Sequence, residues 1–394
     1  MSETRPAVSV VRLGDLLVDS CYGTSEPSSA NGNTPIVGIA HIRGGRVNLT
    51  SMSRVDLPAA QRDSLSLRPG DILITRTNSP DLVGRAGLVT AETEAVFASY
   101  LVRLRVDTDK VDPAFLNYWL NSPLGQRQVS RIATRAIGQS NVNPTELRKH
   151  IRVPLPPIER QRELARALHI WDRAVSTVAK LVQAKDRQYG FLVDRLTADT
   201  RNQLVRVRSI AQECSARNGS AADSPVLSVT NRKGFELPGD RFSRRVASED
   251  LSSYKMVRRG QFAYNPSRLT VGSIGRLDGW PSGLLSPMYV MFSLDETKIE
   301  SDYFLHWLRS SWARGHIARS TQGSVRDSVG FSDFGSIGIH LPTLEGQRQA
   351  ARVLTSARLE IDLLLGLENA YGEQRSAMAD TLLAADSAES KALA

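Results

Sequence analysis

"VPLPPIERQRELARAL" occupies residues 153–168, and "IHLPTLEGQRQAARVL" occupies residues 339–354. The two stretches lie 186 positions apart, and at that offset Leu155, Pro156, Glu159, Gln161, Arg162, Ala165, Arg166 and Leu168 meet Leu341, Pro342, Glu345, Gln347, Arg348, Ala351, Arg352 and Leu354. The same offset carries on without a gap, so that Leu192 and Leu196 fall on Met378 and Leu382. A repeat found at this level sets how the rest of the chain is divided.

Downstream of each stretch the apolar residues step by four and three. The first copy gives Leu164, Leu168, Trp171, Val175, Val178 and Val182, then Tyr189, Leu192 and Leu196. The second gives Ala350, Leu354, Ala357, Ile361 and Leu364, then Tyr371, Met378 and Leu382. Sustained over four to five repeats, this spacing predicts two long amphipathic helices with a heptad seam. Pro156, Pro157 and Pro342 stand where a helix starts and none follows inside either run, as the missing proline N–H requires. Glu159 and Glu345 suit the positive end of the helix dipole. Gly190, Gly366 and Gly372 each weaken the helices by about 1 kcal/mol relative to alanine. About 40 residues at 1.5 Å each give a rod of roughly 60 Å. One such rod would expose its apolar stripe, whereas two from one chain can cover each other if they run antiparallel.

Upstream the repeat persists more loosely. "LRPGDILITRTNSPDLVGRAGLV" (67–89) faces "VRRGQFAYNPSRLTVGSIGRL" (257–277), pairing Gly70 with Gly260, Gly84 with Gly272 and Gly87 with Gly275. "FLNYWL" (115–120) faces "YFLHWL" (303–308), pairing Trp119 with Trp307, which are expected to fill cores. Strands are predicted at 35–42, 71–76, 86–91, 100–106, 225–230, 261–265 and 288–294. Single amphipathic helices are predicted over 112–134 and 301–320. The fold class is α+β: two pseudo-twofold-related α/β modules separated by two long helices forming an antiparallel coiled coil. The expected divisions are a first module at 1–155, a first helix at 156–199, a second module at 200–340, a second helix at 341–388 and a tail at 389–394.

The chain carries a net charge of +9, and 42 of its 50 basic residues are arginine. The excess is +4 over 1–155 and +6 over 200–340, while 341–394 is at −3. Basic modules point to a polyanion. No apolar run is long enough to span a bilayer, no secretory leader is recognisable, and two cysteines (Cys21, Cys214) suit a reducing compartment, so a cytoplasmic location is expected.

No catalytic pattern stands out. There is no phosphate-binding loop ending in Gly-Lys-Ser/Thr, and the six histidines are scattered singly. "YNPS" (264–267) lacks the second proline and the aromatic of an adenine methyltransferase motif. Asp71 has no Glu-x-Lys partner for a nuclease site and is read as a turn residue. Instead, matched polar loops supply side chains that reach base edges or phosphates. They are Arg76, Asn78, Ser79, Arg85, Gln139, Ser140 and Asn141 in the first copy, and Asn265, Arg268, Ser273, Gln322, Ser324 and Arg326 in the second. A self-contained methyltransferase or nuclease, and a coiled-coil adaptor without a nucleic-acid role, are the competing readings.

The duplicated Leu-Pro-x-x-Glu-x-Gln at a helix start (155–161 and 341–347), with "PGDILI" and "YNP…GSIG" in the two modules, resembles the specificity subunit of Type I restriction–modification systems. The position before the glutamine, acidic in that family, is Arg160 here and Gly346 in the second copy. The resemblance implies a non-catalytic DNA-recognition subunit. Each module would be a target recognition domain reading half of an asymmetric bipartite site in double-stranded DNA. The helices would space the modules and dock two methyltransferase (modification) subunits, with Leu168, Trp171, Val175, Val178, Leu354, Ile361 and Leu364 as the coiled-coil and docking positions. Restriction/translocase subunits would join that core. It implies no cofactor in this chain, since S-adenosylmethionine, ATP and Mg²⁺ would sit on the partner subunits, and no membrane association.

Overall fold

In a computed structural model, the description covers residues 9–78, 83–136, 139–219, 224–231, 234–238, 251–320 and 328–385. Each long helix is launched from a short strand. Arg152–Leu155 pairs antiparallel with Ser9–Arg12 and leads into the helix Ile158–Thr197. Gly338–Leu341 pairs antiparallel with Gln203–Arg206 and leads into the helix Leu344–Ala385. The helices therefore start within three residues of where the repeated stretch places its prolines. The N-terminal strands Ser9–Arg12 and Gln203–Arg206 are too short to show a period, and the sequence reading missed them.

The chain divides into two units, Met1–Thr177 with Leu367–Ala394, and Val178–Gly366. Both long helices contribute to each unit. In the first unit the central sheet runs, in spatial order, Leu17–Tyr22, Leu101–Val106, Ile72–Thr75, Ala86–Leu88, Arg46–Val47 and Ile42–Arg43. Val96–Phe97, Thr34–Val37 and Ser53–Val55 form a smaller sheet. In the second unit the central sheet runs Ala211–Cys214, Val290–Leu294, Phe262–Tyr264 and Ile274–Arg276. Its first four places repeat the order of the first unit, so the duplication holds in topology as well as in sequence. Gly70 and Gly260 open equivalent strands with φ of +93° and +84°, and Gly84 and Gly272 close the following turn at +79° and +87°. These left-handed values favour glycine.

The helix predicted over 112–134 is two helices, Pro113–Leu120 and Pro123–Ile132, and that over 301–320 is also two, Ser301–Trp307 and Ser311–Ser320. Serine makes both breaks. Ser122 Oγ donates to the Trp119 carbonyl at 2.7 Å and accepts from the Gly125 N–H at 3.2 Å, and Ser310 does the same for Trp307 (2.6 Å) and Ala313 (3.1 Å). A serine that satisfies the end of one helix and the start of the next interrupts the ladder without leaving buried groups unpaired. Trp119 and Trp307, just before the breaks, are fully buried in the core of their units.

The seam residues pack as the periodicity predicts. In the first unit Leu164, Ala165 and Leu168 join the module core together with Ala379 and Met378 of the second helix, and the Trp171 ring meets Tyr371 edge-on at 5.7 Å. In the second unit Tyr189, Val193, Leu354 and Ile361 form one cluster, flanked by Val182, Leu192, Leu196 and Ala357. Lys185 bridges to Glu360 at 2.7 Å. Within each unit, residue numbers fall along one helix as they rise along the other, so the two segments pair antiparallel. Among the described residues no helix is long and apolar enough to cross a membrane.

Candidate nucleic-acid interface and the helix-start clamp

The repeated glutamine ties each module to its helix. Gln161 is buried at 1% exposure; its Oε1 accepts from the Asp112 N–H at 2.9 Å, and its Nε2 donates to the carbonyls of Pro156 (2.8 Å) and Lys110 (3.3 Å). Gln347, also at 1%, accepts from the Glu300 N–H at 2.8 Å and donates to Pro342 (3.0 Å) and Lys298 (3.2 Å). Asp112 and Glu300 in turn cap the helices that carry Trp119 and Trp307, accepting from the N–H of Phe115 and of Tyr303. The amide of glutamine supplies one acceptor and two donors, and all three are used. Glu159 and Glu345, by contrast, are exposed and pair with Arg162 and Arg348 on the helix surface.

In the first unit the polar residues singled out by sequence come together. Thr77–Asn78, Gln139–Asn141 and Thr134–Ala136 form a three-stranded ribbon in which Asn78 pairs with Ser140 and Thr77 with Asn141. Arg76, at the root of this ribbon, donates from Nε to Asn141 Oδ1 at 3.1 Å, and its guanidinium lies over the Tyr22 ring, 4.5 Å from the centroid. Arg85 stands across the turn, its N–H donating to Thr75 Oγ1 at 3.0 Å. Ser79 lies outside the described residues. The stretches 75–78 and 139–143 are thus one feature, joined by main-chain pairing that no sequence pattern announced.

The second unit differs. Asn265, at the place of Thr75, is buried, and its side chain accepts from the Ser267 N–H to cap the turn Pro266–Arg268. Ser273 is buried and donates to the Val229 carbonyl. Both side chains are spent inside the module, which corrects the expectation that they face outward. Arg268 remains exposed at that turn. Gln322, Ser324 and Arg326 lie outside the described residues.

The buried ionisable groups are structural. Asp71, 1% exposed, receives Arg105 Nε and Nη2 at 2.8 Å each and the Arg68 N–H at 2.9 Å. Tyr118 donates to Asp172 at 2.6 Å, and burial followed by that bond pushes its phenol well above the ordinary range. Asp172 also receives Arg375 Nε at 3.0 Å. His306 joins Tyr189 (2.8 Å) and Thr355 (3.0 Å), and burial, then Arg309, hold its pKa down to about 4. Among the described residues, no His, Cys, Asp and Glu side chains gather in a group able to hold a metal.

Residues 7–184 match the family described as Type I restriction modification DNA specificity domain. A Methanocaldococcus jannaschii protein, named as the specificity subunit of the type I restriction enzyme MjaX, is 30% identical over 367 residues, 86% of this chain and 83% of that protein. The chain belongs to the Type I restriction–modification specificity family. The StySPI specificity subunit of Salmonella potsdam is 28% identical over 208 residues, 52% of this chain but 41% of its own length. The fold agrees. The crystal structure of a Type I restriction–modification S subunit from M. genitalium superposes with a TM-score of 0.61 at 14% identity over 97% of each chain. A structure from work on type I complex assembly gives a TM-score of 0.57 at 15% identity, covering 97% of this chain and 99% of that one. These named relatives are specificity subunits, not modification or restriction subunits. The helix-start clamp at Gln161 and Gln347 is how this specificity subunit joins each module to its helix.

Proposed function

We propose that this specificity subunit is the DNA-reading, non-catalytic component of a restriction–modification complex. Each module reads one half of an asymmetric, bipartite target in double-stranded DNA. The long helices set the spacing between the half-sites and dock two methyltransferase subunits. Restriction subunits join that core, and S-adenosylmethionine, ATP and Mg²⁺ act there and not on this chain. The reading places the protein in the cytoplasm with its DNA.

One observation carries this reading. The two modules share sheet order, serine breaks and glutamine clamp, yet differ where a ligand would be read: Arg76 on a paired ribbon in one, a buried Asn265 and an exposed Arg268 in the other. A conserved frame with unlike tips is what two different half-sites require. The seam residues Leu168, Val178, Leu354 and Ile361 are buried within their own units, so partner docking falls to exposed apolar residues on the same helices. Ile170 at 67%, Leu363 at 66% and Phe191 at 64% exposure are the foremost of these. Two reading heads can face one side of a duplex when the half-sites lie about one helical turn apart, ~10 bp.

Inserting or deleting one heptad in both long helices tests the spacing role. The length of the unread spacer is expected to change while both half-site sequences stay the same. Altered half-site sequences with an unaltered spacer would contradict it.

A further inference from the structure

Resting on that reading, we infer that Arg76 is a specificity-determining residue that reads a guanine in the half-site of the first module, with Tyr22 and Asn141 as its positioning residues. The strands Leu17–Tyr22, Leu101–Val106 and Ile72–Thr75 are neighbours, with Tyr22 paired to Val102 and Leu101 to Thr75. Tyr22, Tyr100 and Arg76 therefore gather at one end of the central sheet. The Arg76 main chain is fixed on both sides: its N–H donates to the Tyr100 carbonyl at 2.8 Å, and its carbonyl accepts from the Val142 N–H at 2.9 Å. The side chain is fixed as well. The Tyr22 ring supports the guanidinium plane at 4.5 Å, and Asn141 Oδ1 takes the Nε proton at 3.1 Å. No described residue accepts from Nη1 or Nη2, and Arg76 is half-buried. Tyr22 and Tyr100 beside it are 41% and 58% exposed, large aromatic surfaces that the module core leaves uncovered.

A phosphate needs only a positive charge at roughly the right place, which any arginine of this basic module supplies. Holding a guanidinium in a fixed plane is useful where two donors must meet two acceptors side by side. The O6 and N7 atoms of guanine in the major groove are that pair, and arginine is their commonest reader. Lysine keeps the charge but has no fork. At the equivalent place, where the Val329 N–H bonds the Pro266 carbonyl as the Val142 N–H bonds that of Arg76, the second module carries a proline, which has no side-chain donor. The guanine preference therefore belongs to one half-site.

The test uses the full chain and a library of random-sequence duplexes, selected by binding and sequenced to give the preference at every position. For Arg76→Lys, the expected result is a loss of preference, by about tenfold or more, at a single G·C pair in one half-site, with the other half-site unchanged. Tyr22→Leu and Asn141→Ala should weaken the preference at that same pair and at no other. Where Arg76→Lys lowers the thermal midpoint, the two positioning variants decide. Unchanged preferences, or an even loss across both half-sites, would overturn the inference and leave Arg76 a phosphate contact or none. If the unsubstituted chain selects no sequence, the proposed function itself falls, and this inference with it.

Discussion

Gln161 accepts a hydrogen bond from the main-chain N–H of Asp112 at 2.9 Å, and 186 positions later Gln347 does the same for Glu300 at 2.8 Å. Each amide also donates to the carbonyl five residues before it, at the proline that precedes the helix. Replacing either glutamine by alanine removes the partner of one N–H and two carbonyls at a position whose own side chain is buried. Unmade buried hydrogen bonds of this kind cost about 1–3 kcal/mol apiece, less where water enters the cavity. Gln161→Ala and Gln347→Ala should each destabilise the chain by about 2–4 kcal/mol, read as a lowered denaturant midpoint. Gln→Glu at either site should be no better, because a carboxylate keeps the acceptor and loses both donors.

Asp172 holds two partners from different parts of the first unit: Tyr118 of the module and Arg375 of the second long helix. Arg375 also lies 5.9 Å from the Tyr118 ring. Removing the arginine leaves a carboxylate that is only 20% exposed without its cation. Arg375→Ala should lower stability by about 1–2 kcal/mol, a discount on the cost of breaking a fully buried pair. Arg375→Lys should recover part of that. Amide exchange measured along residues 367–385 checks whether the loss is local to the end of the second helix.

His306 sits between Tyr189 and Thr355 in the second unit, with its pKa lowered to about 4 by burial and then by Arg309, with Arg276 and Arg358 adding and Asp302 opposing. An unfolded histidine titrates near 6.5. Between those values the unfolded chain binds a proton that the folded chain does not, so stability is full above pH 6.5 and falls as the pH drops toward 4. Thermal midpoints taken from pH 7 to pH 4 should decline, and His306→Gln should flatten that part of the profile. A steeper decline in the variant would assign the effect to other groups.

The helices were legible in the sequence because heptad spacing is redundant: Leu164, Leu168, Leu354 and Ile361 each report the same face, and all four are buried. The strands around Ile72 and Leu101 were legible for a similar reason, being short apolar runs bounded by turns. Ser122 and Ser310 were not, because a serine that caps looks in sequence like any surface serine. Asn265 and Ser273 misled for a related reason: a polar residue in a loop can turn inward when the loop itself offers it a backbone partner. The meeting of Arg76 with Asn141 depends on pairing across 65 residues, which one sequence without periodic strands on both sides does not specify. The repeated glutamine was visible as a repeat, but its three hydrogen bonds appeared only with the positions of Lys110, Asp112, Lys298 and Glu300.

The central claim is that one chain carries two unlike DNA readers on one frame, and the most direct measurement is the set of duplexes the unsubstituted chain selects from a random library. The account predicts two blocks of different sequence, separated by a gap of constant length in which every base is tolerated. A single uninterrupted block, two identical blocks, or no selection at all would contradict it.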